Sequence, residues 1–543
     1  MHRRFVAASA IAATVTAALL TGAGAPSSAA VVRGAQRVPA GLAAAIHARL
    51  GAGAIRPSVG TSLRIDPLLG YTVALSADGT TALVGAPTAD GIRGEAYIFH
   101  ASDAGSWSST GTPTATLTTK KGHVGEFGIA VALSAEGTTA FVGAPYTGVG
   151  PSFAGAIYAF HVSAEDAWHS FSAPSATLTV SKHTFLGFGL AVSPDGTTLV
   201  AAAPDSYGPY GRGAAYVFHA SSESAWASTA TPTATLSNAG EGNDDLRQGF
   251  GVAISGDGTT ALVSDAGNPS GGRAYVFHVA GEDAWASSTT PNAILSDSNS
   301  AGASGLGATV ALSADGKLAL LGAPFLGDSE TGLVDVFHSS AEDAWASTST
   351  PTATLTTGGG LSDLLGFTVS LSADGTTALL TAPRAHSGRG AAYVFRASDE
   401  GAWASSSTPT ATLTDSAGHQ GDYLGIGGAL STDGKTVIAG APGVEKRTGA
   451  VDVFHVADVS SWATSSTPNA SVTDKALAAC VVPKLKGSKL FPAEVALAIG
   501  RCRLGKVTKV HAAKAKKGRV LSQSKKAGKR LAIGAKVNVK IGK

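Results

Sequence analysis

A unit of about 59 residues occurs seven times along this chain, and the repeat constrains the fold more than any other feature of the sequence. The unit between Gly366 and Thr414 contains four short segments of β-branched or small apolar residues. They predict four β-strands, at Thr368–Ser372, Thr377–Ala382, Ala391–Phe395 and Thr410–Thr414. All seven tryptophans share one position of the unit, 58 to 61 residues apart: Trp107, Trp168, Trp226, Trp285, Trp345, Trp403 and Trp462. A fixed period of this length is typical of solenoids and propellers.

Seven units of four short antiparallel strands predict a mainly β protein with a seven-bladed β-propeller of four-stranded antiparallel blades over residues 68–474. A solenoid is the alternative, but the repeat array carries no polar terminal cap. An Asp-Gly pair joins the first two strands in six units, and we interpret it as a two-residue type I′ hairpin. The ring closes either within each blade, with Ala470–Thr473 as the last strand, or through an N-terminal strand at Thr61–Ile65.

The unit resembles the FG-GAP repeats of the integrin alpha-chain propeller. The resemblance rests on Phe-Gly before the first strand, on Gly-Ala-Pro after the second, and on a Gly-Ala-x-Tyr-x-Phe third strand. Phe-Gly occurs at Phe127-Gly128, Phe188-Gly189 and Phe250-Gly251, and Gly-Ala-Pro at 85–87, 143–145, 322–324 and 440–442. The fourth unit departs most, because it has Ser264-Asp265-Ala266 in place of Gly-Ala-Pro.

The N-terminus predicts a signal peptide over residues 1–30. Arg3 and Arg4 precede an apolar run from Phe5 to Leu20, and small residues follow at 28–30. A membrane anchor is the alternative, but the run is short and rich in Ala and Thr. We therefore expect a secreted protein, extracellular or associated with the cell wall, without a membrane span. Residues 31–67 are a lead-in segment with a candidate helix at Leu42–Leu50.

The composition changes abruptly after Asp474. Residues 476–543 contain eighteen Lys or Arg and one acid, Glu494, although the whole chain has a net charge of only +2. This asymmetry favours two bodies with different partners. A solubilising or disordered tail is the alternative. Against it, Leu490–Ile499 predicts a helix, and strands are predicted at Val507–Val510, Arg519–Ser522 and Val537–Ile541.

This segment resembles a single PASTA domain, a small α+β module of bacterial cell-wall proteins. The matching residues include Val482-Pro483-x-Leu485-x-Gly487, Leu504-Gly505-Lys506-Val507 and Gly534-x-x-Val537-x-Val539. Lys525 stands where many members have proline. The resemblance implies contact with cell-wall peptidoglycan or another anionic envelope polymer through residues 476–543.

The only two cysteines, Cys480 and Cys502, lie in this basic segment. In an exported protein an even pair predicts a disulfide, whereas a zinc site would need more ligands. Such a bond closing a short loop stabilises a small module by about 3 kcal/mol.

No enzyme and no cofactor are predicted. Gly-x-Ser-x-Gly and His-Glu-x-x-His motifs are absent from the sequence. Six histidines follow the third-strand Phe at equivalent repeat positions, which keeps them apart and indicates a framework role rather than a metal site. Each Asp-Gly turn supplies one carboxylate, whereas a hard cation takes about six to eight oxygens, so we expect no integrin-type calcium sites. Asp244-Asp245 and Asp297-Ser298-Asn299 are weaker candidates for an ion.

The loops after strands one and three are nearly constant between units, and those after strands two and four vary. An up-and-down blade places the two sets on opposite faces, and variable loops on a repeated scaffold usually carry recognition. The candidate ligand-binding residues on the variable loops are Tyr146, Phe153, Tyr207, Tyr210, Arg212, Phe325 and Arg384.

We therefore predict a secreted, non-catalytic binding or adhesion-type protein, with an unknown protein or glycan as the propeller's partner and no nucleic acid. The tryptophans are interpreted as structural. A propeller lectin whose tryptophans line sugar sites is the alternative, and an extracellular hydrolase is a weaker one.

Overall fold

The computed structural model describes residues 67–543 apart from 120–124, 150–151, 181–183, 205–212, 239–250, 267–270, 300–304, 327–329, 361, 445–447, 478, 514–515 and 533. It contains seven four-stranded antiparallel sheets, each built from one repeat, and these are the blades of a seven-bladed propeller. The predicted fold class and blade number are confirmed. The predicted signal peptide, Leu42–Leu50 and Thr61–Ile65 lie outside the described residues.

Strand bounds repeat closely between blades. First strands are Thr72–Leu75, Ala130–Leu133, Leu190–Val192, Val252–Ile254, Thr309–Leu312, Val369–Leu371 and Gly428–Leu430. Second strands are Thr81–Ala86, Thr139–Ala144, Thr198–Ala203, Thr260–Asp265, Leu318–Ala323, Thr377–Ala382 and Thr436–Ala441. Third strands are Glu95–His100, Ala156–His161, Ala214–His219, Arg273–His278, Leu333–His338, Ala391–Arg396 and Ala450–His455. Fourth strands are Ala115–Leu117, Ala176–Leu178, Ala234–Leu236, Ala293–Leu295, Ala353–Leu355, Ala411–Leu413 and Ala470–Val472.

The loops contain one short hairpin and several one-turn helices. Blade two carries an extra hairpin of Gly148–Val149 with Ser152–Phe153. One-turn helices follow the second strands of blades one and six, at Ala89–Ile92 and Ala385–Gly388. Turns of 3-10 helix precede six tryptophans, at Glu165–Ala167, Glu223–Ala225, Glu282–Ala284, Glu342–Ala344, Glu400–Ala402 and Val459–Ser461.

The core lies between the blades. Every residue of the second strands is buried, as expected for a strand with packed neighbours on both faces. Each of seven apolar clusters combines side chains of two neighbouring blades, one cluster per junction. Blades are therefore stabilised by their neighbours rather than by cores of their own.

The ring closes between blades seven and one by the contacts used at the other junctions. Thr110 pairs with Val472 and Leu69 with Gly449, and Tyr97 shares an apolar cluster with Val453. All four strands of blade seven come from its own repeat. Of the two closures left open by the sequence, the described residues show the one within each blade.

The Asp-Gly hairpins differ from the predicted type I′ turn. Ser76 N donates to Thr81 O (2.9 Å) and Gly79 N donates to Ser76 O (3.0 Å), so the loop has four residues, 77–80. Only the glycine of the pair has a positive φ, +76° at Gly79. The aspartate instead accepts hydrogen bonds from Ser76 Oγ (2.7 Å) and Thr80 N (3.0 Å), as side chains of Asp commonly do in turns. The type I′ interpretation was wrong.

The Phe-Gly matches also need correction. Gly128 N donates to Gly143 O, and in blade three the equivalent bond runs from Gly187 N to Ala202 O. The counterpart of Gly128 is therefore Gly187, and Gly189 lies two residues further along the chain, directly before the strand Leu190–Val192. Gly251 occupies the same later position, because Ser264 N donates to Gly251 O as Ala202 N donates to Gly189 O.

A close backbone approach accounts for the glycines that do correspond. A Cβ added to Gly85 would lie 2.1 Å from Gly128 O of the next blade, and a Cβ on Gly143 would lie 2.1 Å from Gly187 O. The glycine of Gly-Ala-Pro in one blade thus faces the glycine that precedes the first strand of the next.

Residues 479–543 form a separate small α+β module. A three-stranded sheet (Arg503–Val510, Lys536–Gly542, Val520–Gln523) and a two-stranded sheet (Ala479–Val481, Arg530–Ala532) pack with the helix Leu490–Ile499. The helix has the predicted bounds, and the two strands of the smaller sheet were not predicted. Cys480 and Cys502 form the predicted disulfide inside the module's core.

Candidate recognition surfaces

Loops after the second and fourth strands meet on one face of the ring, which we call the variable-loop face. In six blades, a glycine with positive φ before the third strand lies against the segment that precedes the next blade. A Cβ on Gly94 would lie 1.9 Å from Phe127 O, and one on Gly390 would lie 2.1 Å from Leu424 O. These contacts fix the base of each loop, so the loops can vary without disturbing the ring.

Those predicted residues of this face that the structure describes lie in separate clusters. Tyr146 packs edge-on against Phe185, with ring centroids 5.6 Å apart, in blades two and three. Phe325 belongs to a different apolar cluster around Leu364 and Ile426. Phe153 lies in the blade-two hairpin. Tyr207, Tyr210 and Arg212 lie outside the described residues.

Arg384 forms a salt bridge with Glu330. Its Nη1 lies 3.1 Å from Glu330 Oε2, and only about a fifth of each side chain is exposed (19% and 20%). The pair joins the loops of blades five and six, so Arg384 acts in the framework of this face.

The basic module lies on the same face, at blades seven and one. Leu477 of the connection is 1% exposed and packs into the cluster between these blades. Arg501 Nη1 donates to Ala476 O at 3.0 Å, and Arg530 Nη2 donates to the same oxygen at 3.4 Å. The helix Leu490–Ile499 lies beside Ala89–Ile92 of blade one. The connection is thus packed against both bodies.

The opposite face, which we call the turn face, combines the Asp-Gly turns with the tryptophan segments. Each indole Nε1–H donates to the carbonyl of the turn glycine in its own blade, as Trp107 does to Gly79 O at 2.8 Å. Six indoles are buried at 8% exposure or less, and Trp226 is half-buried. The burial supports the structural interpretation and leaves little indole surface for stacking a sugar.

A glutamate three residues before the tryptophan links neighbouring blades on this face. Glu165 Oε2 accepts from Thr80 Oγ1 of the preceding blade at 2.8 Å. Glu223, Glu282 and Glu342 accept equivalent bonds from Thr138, Thr197 and Thr259.

The third-strand histidines are held by hydroxyl groups. Thr81 Oγ1 lies 2.9 Å from His100 Nδ1, and four further blades repeat this pair. Among the described residues no cluster of three His, Cys, Asp or Glu could hold a metal ion.

The turn face is strongly acidic, which the sequence analysis missed. Its turns and tryptophan segments contain two lysines, Lys317 and Lys435, and eighteen carboxylates. The carboxylates are Asp78, Asp103, Glu136, Glu165, Asp166, Asp195, Glu223, Asp257, Glu282, Asp283, Asp315, Glu342, Asp343, Asp374, Asp399, Glu400, Asp433 and Asp458. The sequence does contain this signal, because aligning the seven repeats places these carboxylates in the Asp-Gly turns and the tryptophan segments.

Local hydrogen bonds lower the pKa of the turn aspartates in blades one, three, four, five and six. Partial burial by itself raises the pKa of Asp195, but hydrogen bonds from Ser193 Oγ and from Thr197 outweigh it and leave that pKa below its ordinary value. The pKa of Asp78 is lowered against burial in the same way by Ser76 and Thr80.

Backbone hydrogen bonds join the turns of successive blades into a nearly complete ring. Ala77 N donates to Ala135 O, Ala135 N to Pro194 O, and equivalent bonds occur at four further junctions. The bond from blade three to blade four is missing because Pro194 has no N–H. A cleft of about 670 Å³ opens at this junction, lined by Asp195, Thr197, His219, Ser221, Glu282 and Asp283.

Two of the buried carboxyl groups of the ring lie on third strands. Asp335 and Asp452 occupy the third-strand position where the other blades have tyrosine. Burial raises the pKa of each to about 7. Asp335 Oδ1 accepts from Thr354 Oγ1 at 2.8 Å, and Ser471 Oγ donates to Asp452 Oδ1.

No protein-family model and no curated protein matches this chain. Among solved structures, it is similar to hydrazine synthase of Kuenenia stuttgartiensis, with 14% identity and a TM-score of 0.42 over 75% of this chain and 99% of that chain. Assignment of the propeller rests on the seven sheets themselves. In the described residues, no helix has the length and apolar character of a membrane span.

Proposed function

We propose that this is a secreted, non-catalytic binding protein whose basic module associates with an anionic cell-envelope polymer while the propeller binds a partner through its variable loops. The observation that most supports this proposal is the exposed positive charge of the module. The lysines of the module that the structure describes, including Lys484, Lys525 and Lys526, are exposed, and the ion pairs found among the described residues all lie in the propeller.

We further propose that the module is PASTA-like and the propeller FG-GAP-like. The helix over Leu490–Ile499 and the strands at Val520–Gln523 and Lys536–Gly542 agree with the first resemblance. The facing glycines Gly85 and Gly128 give a physical reason for the Gly-Ala-Pro and Phe-Gly pattern of the second. The disulfide agrees with an oxidising location outside the cytoplasm.

The test is retention on isolated Gram-positive cell walls. Replacing Lys525, Lys526 and Lys529 with glutamine should release the protein, whereas arginine at the same positions should retain it. About 1 M salt should elute the intact protein, since the Debye length then falls to about 3 Å. Equal retention of the glutamine variant and the original protein would contradict the assignment.

Recognition by the propeller is tested with a separate set of variants. Replacing Tyr207, Tyr210 and Arg212 with alanine should weaken capture of a protein or glycan in a binding screen and leave wall retention unchanged. Loss of wall retention in this variant would place the wall contact on the propeller instead.

A further inference from the structure

The position of the cleft between blades three and four is occupied by a lysine side chain at another junction of the ring. At the junction of blades five and six, Lys317 replaces the threonine of the turn. Its Nζ lies 2.5 Å from Asp315 Oδ2 and 3.7 Å from Glu400 Oε2 of the next blade. The corresponding residues of the cleft are Asp195, Thr197 and Glu282, so the same two carboxylates flank a shorter, uncharged side chain.

The cleft is more acidic than this counterpart. Asp283 adds a third carboxylate, 98% exposed, whose Oδ1 lies 3.2 Å from His219 Nε2. Blade six has Gly401 at the position of Asp283 but a third carboxylate, Asp399, two residues earlier. The two junctions therefore differ in net charge because one has Lys317 and the other Thr197. At this junction Pro194 donates no backbone hydrogen bond, and the cleft there has space for an incoming group. Hydrogen bonds lower the pKa of Asp195, so its carboxylate is ionised at neutral pH. Carboxylates around a cavity favour an ammonium or guanidinium group.

We propose that this cleft receives a lysine or arginine side chain from the basic module of a second copy of the chain, so that the protein associates head to tail. Complementary charge supports this occupant. The turns and tryptophan segments of the turn face contain eighteen carboxylates and two lysines, with Arg396 at the end of a third strand beside them, and residues 476–543 carry eighteen Lys or Arg and one acid.

The contact is intermolecular because the module cannot reach the cleft of its own chain. It is held on the variable-loop face at blades seven and one by Leu477, Arg501 and Arg530. The cleft opens on the other face, at blades three and four. Association of one surface with a different surface of the next copy is heterologous, and it produces chains of subunits unless the rotation closes a ring. This inference goes beyond the wall association proposed above and needs no wall.

Sedimentation velocity of the full chain tests the proposal. The protein should associate at low ionic strength and dissociate as salt is raised, since exposed charges are screened within about 10 Å at 0.1 M. Neutralising the cleft with Asp195→Asn, Glu282→Gln and Asp283→Asn should weaken association roughly tenfold or more.

The junction of blades one and two provides a matched control. It has the same residue types, Asp78, Glu165 and Asp166, but its backbone hydrogen bond is present. Neutralising these three carboxylates removes the same charge and should weaken association by much less. Equal losses in the two variants would show a general charge effect and overturn the assignment to the cleft.

A mixing experiment decides whether the contact is head to tail. Lys525→Glu, Lys526→Glu and Lys529→Glu should also abolish self-association. The cleft variant keeps an intact module and the module variant keeps an intact cleft, so an equimolar mixture should form one-to-one complexes. A monomeric original protein at low salt, or a mixture that stays monomeric, would refute the proposal.

Discussion

At the scale of single residues, the glycine before the third strand has two constraints at once in six of the blades. Gly94 has φ +82°, and a Cβ there would lie 1.9 Å from Phe127 O. Gly94→Ala should lower the free energy of unfolding by at least about 2 kcal/mol, because both the backbone conformation and the contact between blades are lost. Gly105→Ala is the control: its φ is not left-handed, its nearest neighbour would be 3.4 Å away, and the loss should be below about 0.5 kcal/mol in urea unfolding.

The buried Asp335 should make stability depend on pH. Its pKa is about 7 when folded and about 3.9 when unfolded. Below about pH 4 both states are protonated, and above it only the folded state keeps the proton, so stability falls as the pH rises towards 7. Between pH 5 and pH 8, Asp335→Asn should therefore lose less stability than the original protein, by on the order of 2 kcal/mol.

The readout is the urea midpoint at both pH values. Asn can still accept the hydrogen bond of Thr354, so the fold should survive. Asp343→Asn, in an exposed segment of the same blade, should leave the pH profile unchanged. Parallel pH profiles of the original protein and Asp335→Asn would contradict the prediction.

Residue patterns predicted the architecture better than the site. Trp107 and its six counterparts marked the repeat because one buried position recurs in every blade. The Phe-Gly pattern was misplaced by two residues in blade three, because Phe188-Gly189 matches it while Gly187 makes the equivalent hydrogen bond. The sequence shows that Pro194 has no N–H to donate. Only the structure shows that this N–H would have bonded the turn of the next blade.

At the scale of elements, the disulfide should stabilise only the basic module. It joins the strand Ala479–Val481 to the residue before Arg503–Val510, and its neighbours Val482 and Leu497 belong to the module's own core. Cys480→Ser with Cys502→Ser should lower module stability by about 3 kcal/mol. Calorimetry should show the propeller transition unchanged; a shift of both transitions would mean that the two bodies unfold together.

The strands were well predicted because their patterns are local. Thr377–Ala382 has the predicted bounds, and the helix Leu490–Ile499 does too. The short strands Ala479–Val481 and Arg530–Ala532 were missed because three residues carry too little periodicity to be recognised. The type I′ prediction failed because the side chain of the aspartate stabilises a longer loop, an effect that the Asp-Gly pair alone does not reveal.

At the scale of the whole molecule, Leu477 connects the propeller to the module. Leu477→Ala removes a fully packed side chain from the cluster between blades seven and one and should cost about 2–5 kcal/mol locally. We expect faster hydrogen exchange in Ala89–Ile92 and Leu490–Ile499, where the bodies meet. Val481→Ala, at a position 38% exposed, should leave exchange unchanged. Unaltered exchange in the Leu477 variant would show that other contacts hold the module in place.

The two faces illustrate the limit of sequence reasoning about the whole molecule. Strand connectivity was sufficient to separate the variable-loop face from the turn face, and the bonds from Trp107 to Gly79 confirm that the turns and tryptophan segments share one face. The sequence favoured the variable loops as the recognition surface, whereas the acidic cleft lies on the turn face. Pro194 distinguishes that junction from the other six, where the backbone hydrogen bond between turns is present.

Closure within each blade has a consequence for the order of the chain. Because every blade is built from one continuous repeat, and residues 69 and 449 are neighbours, the propeller has no junction that depends on where its ends lie. A circular permutant that joins 474 to 68 through a short linker and begins between blades four and five should fold to the same ring. The contacts of the ring therefore do not require this order of the seven repeats along the chain.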